Sequence, residues 1–153
     1  MQMVQGQDWN RLPGGNVINT TEWLGADFGS TIPLSIETRA DQPIDFSTSN
    51  QFRARINEKI SYASLNSFLN IDASGFMLVT PDDGFLGQVP KGPFSRLHLA
   101  EGGPTGNAQQ WGYRPWQRNG ITFTGNHDQG YMGQKYGEED QTDMVIQWSD
   151  NPG

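Results

Sequence analysis

Two histidines, His98 and His127, are the only imidazole bases in the chain. A hydrolase needs such a base beside a nucleophile, or two carboxylates a few ångströms apart in a cleft. His98 sits in the alternating segment Phe94-Ser95-Arg96-Leu97-His98-Leu99, where alternation assigns it to the polar face and the leucines to the apolar one. His127 lies in Gly125-Asn126-His127-Asp128-Gln129-Gly130, a turn sequence in which a residue holding an unusual backbone angle explains it better than a base does. Cysteine is absent, which removes disulfides, thiolate zinc sites and cysteine nucleophiles. Acidic residues cluster at Asp82-Asp83 and Glu138-Glu139-Asp140. Oxygen-rich loops of that kind can hold calcium, but neither has the spacing of a twelve-residue calcium loop, and hydration of exposed turns accounts for both. Gly102-Gly103-Pro104-Thr105-Gly106 is glycine-rich but precedes no helix whose dipole would make it a phosphate cradle. The reading is of a non-enzyme with no catalytic residue, metal ligand or cofactor. A carboxylate-dependent glycosidase ranks last among the alternatives.

One cluster is suited to recognition. In Trp111-Gly112-Tyr113-Arg114-Pro115-Trp116 the rings of Trp111, Tyr113 and Trp116 offer planar faces beside an arginine, a candidate platform for stacking on sugar rings. The competing reading is that these rings supply core or inter-subunit area in a chain poor in aliphatic residues.

The elements that must carry these residues read as strands. Ile32-Pro33-Leu34-Ser35-Ile36-Glu37-Thr38 and Gln42-Pro43-Ile44-Asp45-Phe46-Ser47-Thr48 share one pattern at an offset of ten residues, with the period-two alternation of half-buried strands. Gln51-Phe52-Arg53-Ala54-Arg55-Ile56 continues it, with Phe52, Ala54 and Ile56 facing inward and both arginines facing water. Residues 60–69 are mixed: Leu65, Phe68 and Leu69 have helical spacing, whereas Ile60 and Tyr62 alternate, so one short helix is admitted there. Gly75–Thr80, Gly120–Thr124, Tyr131–Tyr136 and Asp143–Trp148 read as further strands, and Met144, Ile146 and Trp148 fall on one face. Glycine (19) and proline (9) are abundant and apolar residues make up 34% of the 153, which disfavours long helices. The expected fold is mainly β, with short antiparallel strands and long Gly/Asn-rich loops, either sandwich-like or an intertwined fibre segment. The break at Glu101–Asn107 sets the expected division: a β segment over 1–100 and a Trp/Gly-rich β segment over 101–153 packed on it, or the two as one domain.

A net charge of −7 repels phosphate backbones, and scattered arginines form no polybasic strip, so nucleic acid and anionic lipid are excluded as partners. No apolar run reaches the ~18 residues of a membrane-spanning helix. The N-terminus has no signal-peptide zones. A chain ending in the turn sequence Asp150-Asn151-Pro152-Gly153 is expected to be a piece of something longer.

The order of pieces is distinctive. Trp23-Leu24-Gly25, Pro33-Leu34-Ser35-Ile36, Phe52-Arg53-Ala54-Arg55-Ile56, Ser74-Gly75-Phe76-Met77-Leu78 and Pro93-Phe94-Ser95-Arg96-Leu97-His98-Leu99 together resemble the tail-fibre-like segments of large secreted surface proteins of Bacteroidota. The likeness covers roughly residues 9 to 100. It departs at Met77-Leu78-Val79-Thr80-Pro81, where the family has a glycine-isoleucine-glycine-threonine turn. The resemblance implies an extracellular or cell-surface β segment of a fibre or adhesin, often homotrimeric in phage-type relatives. Physics points the same way: few apolar residues leave a monomer little burial, and strands with open edges are closed by pairing with copies of the chain. The expected partners are therefore copies of itself, as a homotrimer or filament, with a cell-surface glycan as the alternative partner and a β-sandwich carbohydrate-binding module as the alternative function.

Overall fold

The computed structural model describes Gly25, residues 28–87 and 92–102, Gln110, and residues 112–136 and 142–149. The chain divides into two compact units, residues 1–36 and 37–153. In the first, Gly25 and residues 28–36 contain no strand or helix, and Leu34 and Ile36 are exposed. The strand expected over Ile32–Thr38 does not form. Alternation marks two faces, but a strand exists only where a neighbour takes its backbone groups, and Pro33 removes one donor besides.

Among the described residues the second unit holds nine strands: β1 (Ile44–Thr48), β2 (Gln51–Ile56), β3 (Ser61–Leu65), β4 (Phe68–Asp72), β5 (Met77–Val79), β6 (Leu97–Ala100), β7 (Gly120–Gly125), β8 (Asp128–Tyr136) and β9 (Thr142–Ser149). Seven form one sheet in the order β1-β2-β5-β6-β7-β8-β9, and β3 and β4 form a separate hairpin. The protein is mainly β, as its sequence leads one to expect. Two details differ. Residues 60–69 are not helical: they are most of the β3–β4 hairpin, turned at Asn66-Ser67 with φ of +46° and +68°. Two successive left-handed residues give the turn whose twist matches that of paired strands. Leu65 is buried while Leu69 is exposed, so the helical spacing marks no common face. Second, β5–β6 and β6–β7 pair in parallel. The connections over residues 80–96 and 101–119 are long enough for crossovers, which short antiparallel links are not. The strands on either side of Glu101, β6 and β7, lie side by side in one sheet.

The connections decide which face of the sheet is covered. Leu65 and Ile71 of the hairpin, Leu78 of β5, Phe85 of a 3₁₀ turn at Gly84–Gly87, Phe94 and Tyr113 form one buried cluster. The hairpin linking β2 to β5 and both crossovers thus contribute to a core on the same side. Strands β5, β6 and β7 are laid down in one direction across the sheet. Parallel crossovers are almost always right-handed, so successive ones moving in one direction all pass over one face.

At the β1–β2 end the register slips between Phe46 and Ser47, with Arg53 as the extra residue of a bulge. The slip turns Phe52 toward the covered core and leaves Ala54 and Ile56 on the opposite face, correcting the expectation that all three point the same way. Arg55 does not simply face water: it forms a two-pronged bridge to Asp45, both distances 2.7 Å, and its guanidinium lies 5.6 Å from the Phe52 ring centre.

Candidate functional site

His98 is fully buried on the covered face, in register with Leu78 and Thr122. The Phe94 amide donates to its Nδ1 at 3.2 Å, which leaves the proton on Nε2, 2.8 Å from the Thr124 hydroxyl. Its ring also packs 5.0 Å from those of Phe85 and Phe94. Burial without a compensating anion lowers its pKa to about 3. This corrects the assignment from alternation: His98 is inside, and it is Leu97 and Leu99 that turn outward. His127 and Asn126 have φ of +69° and +47° and make the tight β7–β8 turn, as read from the sequence.

Of the proposed sugar platform, Trp111 lies outside the described residues. Tyr113 is fully buried, its ring set edge-on to Phe94 and Phe68 at 6.5 and 6.4 Å, and burial raises its hydroxyl pKa to about 12. A ring in that position has no free face for a sugar. Trp116 sits in a 3₁₀ helix at Pro115–Asn119, entered where the Arg114 amide donates to Gln117 Oε1 at 3.1 Å. It packs half-buried against Tyr131, 5.4 Å between centres, with Lys135 6.0 Å away. Tyr113 and Trp116 therefore pack against different partners. Among the described residues no three carboxylate, histidine or cysteine side chains gather as metal ligands; Glu138-Glu139-Asp140 lies outside those residues.

The feature that sequence reading missed is the other face of the sheet. Strand register aligns Ile44, Ile56, Met77, Leu97, Ile121, Met132 and Ile146 in one row across all seven strands. The next row is Phe46, Ala54, Val79, Leu99, Phe123, Gly130 and Trp148. Neither contains a charged, amide or hydroxyl side chain; the Trp148 indole N–H is the one polar group in them. Five residues of these rows on the strands before β9, Phe46, Val79, Leu99, Phe123 and Met132, are 36–42% exposed, and on β9 the values rise to 70%, 72% and 81% for Met144, Ile146 and Trp148. Polar residues stand at the rim: Glu101, whose carboxylate accepts from the Asn126 amide at 2.8 Å, and Arg53, which donates to Thr48, Gln51 and the Pro81 carbonyl. The covered face, by contrast, buries His98, Thr122, Thr124 and Gln129.

The grouping of Met144, Ile146 and Trp148 on one face was legible from alternation. What alternation cannot say is which face the connections cover. That signal was present in the crossovers, whose Phe85, Phe94 and Tyr113 need a face to pack on. Comparison with family models, with curated proteins and with solved structures gives no match to this chain.

Proposed function

We propose that this chain is a non-enzymatic structural segment of an extracellular fibre or surface adhesin that works by β-rich self-association. The observation that carries the reading is the exposed sheet face with two unbroken apolar rows. Apolar area of that extent in water is unfavourable by ~25 cal/mol per Å², and a folded chain that retains it is suited to bury it against a partner. The ordered likeness to tail-fibre-like surface segments supports the extracellular setting, and scarce aliphatic residues support a core completed by association. The stacking-platform alternative loses its central ring to the core, since Tyr113 is buried. Light scattering on the purified chain at micromolar concentration tests the proposal: the mass is expected to be a multiple of one chain, and a single-chain mass across that range overturns it.

A further inference from the structure

We propose that the apolar face is closed by the same face of a second copy of this chain, row against row, in a two-fold sandwich. The inference rests on the self-association reading and adds which surface makes the contact.

Size is the first argument. Eight large apolar side chains on this face are exposed by about half on average. At ~150–250 Å² for a large side chain, they present roughly 700 Å². That exceeds the ~300–600 Å² of the largest apolar patch on a typical monomer. It approaches the ~800 Å² that each partner buries in a standard interface.

Chemistry is the second. A polysaccharide is held by stacking together with several hydrogen bonds to its hydroxyls, and the two rows offer only one side-chain hydrogen-bonding group, the indole N–H of Trp148 at the β9 edge. A lipid surface would draw on a basic rim, whereas the chain is acidic at −7, Glu101 stands at the edge of the face, and Arg53 at that edge is engaged by Thr48, Gln51 and the Pro81 carbonyl. What fits an apolar, twisted, seven-stranded face is another of the same kind, since sheets pack face to face about 10 Å apart with side chains interdigitating. A second copy presents that surface, and a two-fold contact uses the same patch on both partners and then closes. The polar rim around an apolar centre is the usual anatomy of such contacts.

The chain has no cysteine, so a single introduced thiol reports on its own surroundings. Val79→Cys places one on the face, and Ser64→Cys places a control on an exposed hairpin position. In the associated protein Val79→Cys is expected to react with a maleimide roughly tenfold more slowly than the control, and to recover the control rate on dilution to single chains. In a companion variant, Leu99→Glu is expected to weaken association by ~30-fold or more with an unchanged circular dichroism spectrum. Because like-charged copies repel, raising the salt concentration is expected to strengthen association of the unmodified chain. A multimer whose Val79→Cys thiol reacts at the control rate overturns the face pairing while leaving self-association standing. A single-chain species overturns both: a thiol still protected there means the chain covers its own face, and protection gained only with lipid vesicles or polysaccharide assigns the face to those partners. Should Leu99→Glu fail to fold, the thiol rates alone decide.

Discussion

Leu78 and Val79 are neighbours on β5, yet one is completely buried and the other is 37% exposed. The same contrast holds across the sheet. The covered side accommodates His98, Thr122, Thr124 and Gln129 beneath the hairpin and crossovers, while the uncovered side is aliphatic and aromatic throughout its two central rows. A solitary one-layered domain would place polar groups toward water and apolar ones under the connections. Here polar groups are enclosed alongside the apolar cluster, His98 among them, held by its bonds to Thr124 and to the Phe94 amide. Polarity on the uncovered side thus does not follow exposure in a single chain, which is what the proposed two-copy sandwich would account for.

Substitutions that treat the two sides differently sharpen this contrast. The largest effect is expected from Leu78→Ala, which opens a cavity in the closed core and should cost about 3 kcal/mol in denaturant unfolding. Val79→Ala, one residue away, should leave single-chain stability within ~1 kcal/mol and instead reduce the solution mass. Equal losses of stability at both positions would erase the distinction between the faces.

The next effect concerns pH. Burial holds the folded-state pKa of His98 near 3, below the ~6.5 of an exposed histidine. Between those values the unfolded chain binds a proton that the folded chain refuses. The stability is fully present above pH ~6.5 and is lost as pH falls toward 3, by up to ~1.4 kcal/mol per unit. Comparing the unmodified chain with His98→Gln isolates this contribution, because carboxylates such as Asp72, whose pKa is lowered by bonds from Ser74, are common to both. About 2 kcal/mol of extra acid sensitivity by pH 5 is expected for the unmodified chain. Identical pH profiles would mean that His98 is not enclosed.

A smaller effect is expected at Gly133, where an added Cβ would collide with the Tyr131 hydroxyl and approach Gly120. Gly133→Ala should destabilise by roughly 1 to 2 kcal/mol in chemical unfolding, the lower part of the overpacking range. No loss would show that the Tyr131 ring is free to move off the two glycines it lies against.

Much of the strand content was legible. Alternation located β1, β2, β7, β8 and β9, and Asn126-His127 announced the turn between β7 and β8. Alternation was blind to orientation, because period two separates two faces without ranking them. At Leu97-His98-Leu99 the ordinary expectation inverted the answer: crossover residues some distance away in sequence, Phe85 and Phe94, close over the histidine. The hairpin at 61–72 was obscured because serines and asparagines fit a turn, a strand rim or a helix end about equally. The parallel pairs were invisible locally, since nothing within β6 tells whether its neighbours run with it or against it. Of the sugar platform, composition gave the rings but not their surroundings, and Tyr113 proved to be core.

The parallel centre of the sheet has a kinetic consequence. Strands β1 and β2 meet across two residues, and β7 and β8 across a similarly tight turn, so both flanks can assemble from local contacts. Joining β5, β6 and β7 requires bringing together segments far apart along the chain, the slower kind of search. The two flanks should therefore gain amide protection early after dilution from denaturant, with β6 last. During that interval hydrophobic strands stand without their central tie, so the yield of properly folded material should fall as refolding is carried out at higher concentration.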